Sequence, residues 1–419
     1  MTLWQEQSRG QHGSLRPSAE SPARHSPKRR SGEHRKGKEE RQGERDRRDR
    51  SRSRRRRRSD KKKHKDQVPH FEWKRGMTIG CEDQENQYVV DDLLGDGTFG
   101  RVLECRDCTT GEKVAIKVVK GMRRLCEHAQ CEAEVLFEIQ RLDPHRRSLC
   151  VLLHETFLHG KYNFCLVFEP LAISLRDFLK ANDSQGLFVS DARQMTKQLL
   201  QSLSFMHSIG LTHTDLKCRN VMLRDGRFDV KPHPRVLGAE THKLHDCRIV
   251  VIDFGGAVFK DERHDGRIGT RQFRAPEVVL GLPWDELSDI WGAGCIIAML
   301  YLGERLFSVH EDMEHLAMME QILGAAIPPS MALKATASSA VPDGLVFEAD
   351  GKLAWPRCAP SKDAIARVQE LLPLCERVCR RHWSFLSLLQ GLLEMDPARR
   401  LSAAAAAERP FLIEDAPEE

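Results

Sequence analysis

The stretch that decides the fold is HTDLKCRN, residues 213–220, near the middle of the 419-residue chain. It concentrates four polar side chains suited to chemistry: His213, Asp215, Lys217 and Asn220. A surface loop can carry such a mixture by chance, so the segment alone identifies neither an active site nor a reaction. Its meaning depends on the segments that precede and follow it.

A glycine-rich segment lies upstream. GDGTFGRV (95–102) places Gly95, Gly97, Gly100 and Val102 in the pattern G-x-G-x-x-G-x-V. Such glycines allow backbone amides to close over phosphate groups. The segment lies between two strand-like runs and not before a helix, which argues against a dinucleotide-binding fold. On its own the pattern is weak, because glycine-rich hairpins are common.

A lysine follows on the next predicted strand. VAIK (114–117) contains Ala115 and Lys117, and a lysine at the end of a buried strand often only extends its charge to the edge of the sheet. Residues 126–142 have helical spacing and carry an acidic partner for it, Glu132. Glu134 is the competing candidate, on a different face of the same helix.

Two further motifs complete an ordered set. DFG (253–255) follows the apolar strand RIVVI, and APE follows at 275–277. The glycine-rich loop, the strand lysine, the helix glutamate, HTDLKCRN, DFG and APE occur in the order typical of protein kinases, each in a matching local context. The resemblance covers residues 88–412 and implies ATP and Mg2+ as cofactors.

The predicted elements agree with a kinase fold. Strand patterns dominate up to about residue 170, and long helical patterns follow at 190–210 and 288–303. Strands first and helices later predict an α+β, bilobal architecture. We expect a small β-rich N-lobe over 88–169 and a larger helical C-lobe over 170–412.

The resemblance implies roles for the residues of the central loop. Asp215 accepts or orients the proton of the substrate hydroxyl, and Lys217 contacts the γ-phosphate. Asn220 and Asp253 hold magnesium. We expect Cys218 to be an inert small residue, with a reactive thiol of low pKa as the alternative.

The resemblance also assigns the nucleotide site. Lys117, paired with Glu132, grips the α- and β-phosphates of ATP. Phe168 corresponds to the gatekeeper, and Glu169 and Leu171 are hinge residues facing adenine.

The segment between DFG and APE contains a single hydroxyl, Thr270. It lies five residues before Ala275, where the kinase resemblance implies a threonine that hydrogen-bonds the catalytic Asp and Lys, so we assign it to contacts with Asp215 and Lys217 and not to regulation. Thr214 stands where many kinases have an arginine that pairs with an activating phosphate. We therefore expect activity without phosphorylation of this segment.

A second resemblance is narrower. EHLAMMEQILG (314–324) is similar to the signature EHLAMMERILG of the LAMMER, or CDC-like, kinases of the CMGC group, and only Gln321 differs. HTDLK with Thr214, and a polar insert at 224–247, are also typical of that family. The signature has helical spacing, and its apolar residues near one face belong in a core: Met313, Leu316, Met319 and Leu323.

The family implies a function. Its members phosphorylate Arg-Ser-rich splicing factors, mainly on serine, and can autophosphorylate on tyrosine as dual-specificity kinases. One position departs from the pattern, because Arg219 stands where a glutamate that receives a substrate arginine is usual. The alternative is a pseudokinase or scaffold that binds splicing factors through its basic tail. The intact catalytic positions argue against it.

The charge of the chain is strongly divided. Residues 1–75 carry 26 Lys and Arg against 11 Asp and Glu, a net of +15, so the rest of the chain is net −10. We expect a disordered Arg/Ser-rich tail over 1–75, densest at 48–65, that directs nuclear import. Non-specific RNA contact through the tail is a further expectation. No run of about 18 apolar residues occurs, so we expect no membrane span. We also expect a monomeric protein.

Overall fold

The structure is a computed structural model, and it describes residues 70–80, 86–262, 264, 266–308, 310–338 and 342–413. The predicted tail up to residue 69, including the dense basic run 48–65, lies outside the described residues. None of the described helices is both long and apolar enough to cross a bilayer.

The first lobe is built on an antiparallel sheet of six strands in the order β1-β2-β3-β4-β6-β5. Alternate residues of β4 (Val114, Ile116, Val118) enter the small-lobe core, so Lys117 lies on the opposite face. The bounds are β1 Thr78–Gly80, β2 Gln87–Asp96, β3 Gly100–Asp107, β4 Lys113–Val119, β5 Leu153–His159 and β6 Asn163–Phe168.

The folded body begins earlier than the sequence predicted. Phe71, Trp73 and Met77 pack against the small-lobe core, and Arg101 donates a hydrogen bond to the carbonyl of Phe71 at 2.7 Å. The expected tail boundary at residue 75 is therefore wrong for residues 70–75. Phe71 and Trp73 stand among polar residues in the sequence, so their packing against the core was not predicted.

Helix α1, Arg123–Leu142, covers one face of this sheet. Its buried stripe includes Ala129, Ala133, Leu136 and Ile139, at the spacing of one helical face. Glu132 lies in the same stripe and is also buried. A buried carboxylate among apolar side chains requires a positively charged or hydrogen-bonding partner. For Glu132 that partner is expected on the sheet that α1 covers.

The second lobe is mainly helical, as predicted. Helix α5 lies at its centre and is buried on nearly every side. The helices are α2 Leu175–Ala181, α3 Val189–Ser208, α4 Pro276–Val279, α5 Leu287–Leu302, α6 Asp312–Leu323, α7 Pro329–Ala337, α8 Lys362–Gln369, α9 Leu374–Arg377, α10 Trp383–Leu392, α11 Ala403–Ala407 and α12 Pro410–Ile413.

Short strands position the central loop. β7 (Leu211–Thr212) pairs with β12 (Val258–Phe259), and β8 (Val221–Leu223) pairs with β11 (Ile249–Val251). Residues 213–220 therefore connect two strands whose partners flank DFG. This pairing brings the two polar motifs together.

The polar insert at 224–247 forms a hairpin of β9 (Phe228–Pro232) and β10 (Glu240–Leu244). Asn182, at the end of α2, donates a hydrogen bond to Thr241 at 2.9 Å, and Lys243 pairs with Asp191. The insert is thus anchored to two helices of the large lobe.

Helix α6, which carries the LAMMER-like signature, differs from the one-faced helix expected. Glu314 and His315 are as fully buried as the apolar residues, while Leu323, expected in the core, is only partly buried. Glu314 is accommodated by a hydrogen bond from Arg367 of α8 at 2.7 Å. The signature helix is therefore an interior element.

Candidate active site

The central loop is held from below by Asp289 of α5. This buried carboxylate accepts hydrogen bonds from the backbone N–H groups of His213 at 2.7 Å and Thr214 at 2.9 Å. Thr214 has a left-handed backbone (φ 69°), which a branched residue adopts only under constraint. The two bonds to Asp289 supply that constraint and fix the direction in which Asp215 leaves the loop.

Asp215 lies at the centre of a compact polar group. The N–H and the hydroxyl of Thr270 both donate to Asp215 Oδ1 at 2.8 Å, and Lys217 Nζ pairs with Oδ2. Lys217 Nζ also lies 3.4 Å from Thr270 Oγ1. The predicted contacts of Thr270 are therefore present, and they link the activation segment to the loop.

Two further polar groups lie at the other end of the loop. Asn220 is buried and donates from Nδ2 to the carbonyl of Asp215 at 3.0 Å, and none of the described residues donates a hydrogen bond to its amide oxygen. The N–H of Ile252 donates to the Asn220 carbonyl at 2.9 Å, so Asp253 follows directly beside it. Asp253 has φ 69°, a strained conformation of the kind found at functional sites.

Lys117 and Glu132 form the ion pair that the sequence predicted. Lys117 Nζ lies 2.7 and 3.0 Å from the two carboxylate oxygens, whereas Glu134 is exposed. Burial acts against the ammonium charge, but Glu132 and then Asp253 outweigh it and raise the pKa of Lys117. The pair explains how Glu132 is tolerated in the buried stripe of α1.

Phe254 and Gly255 lie between the central loop and helix α1. Phe254 is buried, and its ring centroid lies 5.2 Å from that of His213, whose Nε2 is 3.0 Å from the carbonyl of Ile252. A side chain at Gly255 would come within 3.5 Å of the Glu132 carboxylate. His213 is thus a buried structural residue and not a reacting group.

The upper wall of the site comes from one face of the small-lobe sheet. Lys117 and Ala115 are two residues apart on β4 and share a face. Val102 is the cross-strand partner of Lys117, and Phe168 is the partner of Ala115. The four predicted nucleotide-contacting side chains therefore line a single surface.

The glycine-rich segment closes that wall. Gly97 donates a hydrogen bond from its N–H to the carbonyl of Gly100 at 2.9 Å, which forms the turn between β2 and β3. A Cβ atom on Gly100 would lie 2.2 Å from the Val118 carbonyl, so no larger residue fits there. A Cβ atom on Gly95 would meet nothing within 4 Å, and one on Gly97 would make an ordinary contact with the Gly100 carbonyl at 3.6 Å, so both positions have room.

The hinge differs in detail from the expectation. The side chain of Glu169 is buried and accepts hydrogen bonds from Arg146 and Arg224, both at 2.8 Å. Burial opposes its ionisation, but Arg224 and Arg146 lower the pKa of Glu169. Only the backbone of Glu169 can therefore face adenine. Within the described residues, neither its carbonyl nor the N–H of Leu171 takes part in a hydrogen bond.

Cys218 has none of the properties of a reactive thiol. It is buried beneath the loop against Met299, with the two sulfur atoms 3.6 Å apart. Burial raises the pKa of the Cys218 thiol to about 12. The expectation of an inert small residue is confirmed, and the low-pKa alternative is wrong, because Lys217 is directed towards Asp215 and not towards the sulfur.

Comparison with known proteins agrees with this geometry. The protein kinase domain model matches residues 88–412. Serine/threonine-protein kinase AFC1 of Arabidopsis thaliana is 38% identical over 336 residues, which span 78% of this chain and 70% of that protein. Dual specificity protein kinase CLK1 of Homo sapiens is 37% identical over 329 residues, spanning 78% of this chain and 66% of the human protein.

The chain belongs to the LAMMER, or CDC-like, protein kinases. A crystal structure of a kinase domain also superposes on this LAMMER kinase with a TM-score of 0.76 at 37% identity, covering 83% of this chain and all of that one. Its relatives are named as serine/threonine and dual-specificity kinases, and it is a protein kinase of that type. Protein kinases use ATP and Mg2+.

Sequence reasoning missed how this LAMMER kinase holds its activation segment. The Thr214 hydroxyl donates to the carbonyl of Gly256 at 2.7 Å. Arg267 pairs with Asp312 at the start of α6 at 2.5 Å, and Arg271 donates to the carbonyl of His310. No local signal marks these pairs, because their partners lie 39 to 45 residues apart in the chain.

Proposed function

We propose that this kinase transfers the γ-phosphate of ATP to serine residues of Arg-Ser-rich proteins, among them splicing factors, and so regulates pre-mRNA splicing. The observation that carries the proposal is a fully assembled phosphoryl-transfer site in a body whose sequence is net −10. A pseudokinase is disfavoured, because Lys117, Asp215, Asn220 and Asp253 are all retained.

The transfer follows from the positions of Asp215, Lys217 and Lys117. Asp215, fixed on Oδ1 by Thr270, orients the serine hydroxyl and accepts its proton as the bond to phosphorus forms. Lys217 lies beside it and balances the charge on the phosphate that is transferred. Lys117, held by Glu132, binds the α- and β-phosphates.

The residues present fit a magnesium site. The Asn220 amide oxygen and the Asp253 carboxylate are hard oxygen ligands on adjacent backbone segments. They would hold Mg2+, which would supply positive charge to neutralise the phosphates. The negative charge of Asp253 also helps to raise the pKa of Lys117. The same carboxylate would therefore act on both the metal ion and the phosphate-binding lysine.

The substrate class is proposed from charge. A negatively charged body attracts Arg-rich peptides over distances beyond direct contact, and this steering weakens as salt shortens the screening length to about 8 Å at physiological ionic strength. Tyrosine is proposed only as a minor acceptor in autophosphorylation, because the chain contains three tyrosines.

The remaining proposals concern residues 1–75. Their net charge of +15 favours nuclear import and non-specific contact with RNA, and the protein is proposed to act as a monomer in the nucleus. A reporter fused to residues 1–75 should accumulate in the nucleus. A reporter that stays in the cytoplasm contradicts the proposed import signal.

The test of substrate class is a comparison of two peptides. We expect kcat/KM to be higher for an Arg-Ser peptide than for a neutral serine peptide of equal length, and the advantage to shrink as salt rises. Asp253→Asn serves as the inactive control. Equal kcat/KM values for the two peptides at low salt contradict the proposed substrate class, though not the kinase activity.

A further inference from the structure

Three arginines surround the outer side of the catalytic loop. Arg219 is exposed on the turn Cys218–Asn220, four residues after Asp215. Arg176 is half-buried in the first turn of α2, and Arg305 is exposed just beyond the end of α5. The three residues come from different elements.

The elements meet at one buried residue, Cys218. The turn that contains Cys218 packs against α2, and Cys218 Sγ contacts Met299 near the end of α5 at 3.6 Å. Ser174, at the start of α2 and two residues before Arg176, forms a β-bridge with Met222, three residues after Arg219, and Arg305 follows the end of α5 by three residues. The three arginines therefore lie on backbone segments that meet beside the catalytic loop, and together they form one basic patch.

The groups in this patch repel one another. Burial first, then the charge of Arg176 and, to a smaller extent, that of Arg219, lower the pKa of Arg305. An anion that accepts hydrogen bonds from neighbouring guanidinium groups offsets the repulsion between their positive charges.

The carboxylates next to the patch are engaged elsewhere. Glu304 accepts a hydrogen bond from Arg377 at 2.6 Å, and Asp177 accepts one from Ser174 at 2.7 Å. Within the described residues, no carboxylate pairs with Arg176, Arg219 or Arg305. A body that is acidic as a whole thus presents an unneutralised basic patch beside its catalytic loop.

We propose that Arg176, Arg219 and Arg305 form a subsite for a phosphoserine of the substrate, two residues from the serine that receives the next phosphate. The inference rests on the proposed Arg-Ser specificity and narrows it to chains that already carry phosphate. Guanidinium groups bind phosphate in paired hydrogen bonds, whereas an unmodified arginine at the same place is repelled.

The spacing of an Arg-Ser repeat suits this arrangement. In an extended peptide, residues two apart lie on the same side and about 7 Å from each other. Alternate residues of the repeat are serines, so each phosphate added stands two residues from the next acceptor. The product of one transfer becomes the preferred substrate of the following one.

The test uses three Arg-Ser peptides with one acceptor serine each: an unmodified peptide and peptides with phosphoserine two residues before or after the acceptor. We expect the wild-type enzyme to favour one phosphopeptide by about tenfold in kcat/KM. Arg176→Ala and Arg305→Ala should each bring this ratio towards one, and Arg219→Glu should reverse it. Arg399→Ala, an exposed arginine elsewhere on the large lobe, should keep the wild-type ratio.

Binding of the same peptides, measured by fluorescence anisotropy, tests the phosphoserine subsite independently of phosphate transfer. If the wild-type protein phosphorylates the unmodified peptide but neither phosphopeptide binds more tightly, the subsite is refuted and the proposed function stands. If no Arg-Ser peptide is phosphorylated, the proposed function fails. Tighter phosphopeptide binding that disappears in Arg176→Ala and Arg305→Ala then still supports the subsite.

Discussion

Replacing Arg267 tests whether the activation segment is held without phosphate. Arg267 connects this segment to Asp312 in the first turn of the LAMMER helix, through an N–O distance of 2.5 Å. The pair is partly exposed, with side-chain accessibilities of 35% and 14%, so its loss should cost about 1 kcal/mol. Arg267→Ala should therefore lower kcat/KM by up to about fivefold, because each 1.4 kcal/mol corresponds to a factor of ten.

The assay measures kcat and KM of phosphatase-treated protein on one serine peptide. Asp312→Ala should lower kcat/KM as much as Arg267→Ala, and the double variant should be no worse than either, since both changes remove one interaction. The exchange Arg267→Asp with Asp312→Arg should recover part of the activity. Additive losses, or wild-type activity that falls to background after phosphatase treatment, would refute this reasoning.

Three further outcomes follow from contacts in the large lobe. Arg400 donates two hydrogen bonds to Glu277 in a fully buried pair. Arg400→Met should therefore lower the free energy of unfolding, measured by denaturant titration, by about 3–5 kcal/mol. An unchanged denaturation midpoint would contradict the structural role of Arg400. Thr270→Ala should lower kcat by breaking the contact with Asp215, and Thr270→Asp should be no better. Equal or higher kcat for Thr270→Asp would indicate that a phosphate there activates. Cys218, with a pKa of about 12, should not be alkylated in the native protein at pH 8, whereas the exposed Cys375 should be, as mapped by mass spectrometry. Alkylation of both cysteines would contradict the burial of Cys218.

The sequence predicted the site where the chemistry dictates residue type and local order. The choice of Glu132 over Glu134 followed from spacing and helical phase, and the structure confirms it. The role of Thr270 was predicted from the kinase resemblance, which implies a threonine five residues before Ala275, and its contacts with Asp215 are present. Such inferences succeed because strand, turn and helix periodicities are local.

Other features could not be predicted because they depend on long-range packing. The burial of Phe71 depends on the small-lobe core, which forms from distant strands. The engagement of Glu169 by Arg146 and Arg224 joins three segments with no shared pattern. The all-round burial of α6 likewise depends on neighbouring helices, so its modest amphipathic pattern pointed to a single buried face.

The most direct test of the central claim compares wild type and Asp215→Asn for phosphate transfer from ATP, with Mg2+, to a serine peptide. Both proteins should unfold at the same temperature, because the substitution keeps the shape of a partly exposed side chain. The wild-type protein should phosphorylate the peptide, and Asp215→Asn should lose almost all transfer through a fall in kcat. Equal rates for the two proteins, or no transfer by the wild-type protein, would contradict the assignment of this loop as the catalytic centre of a protein kinase.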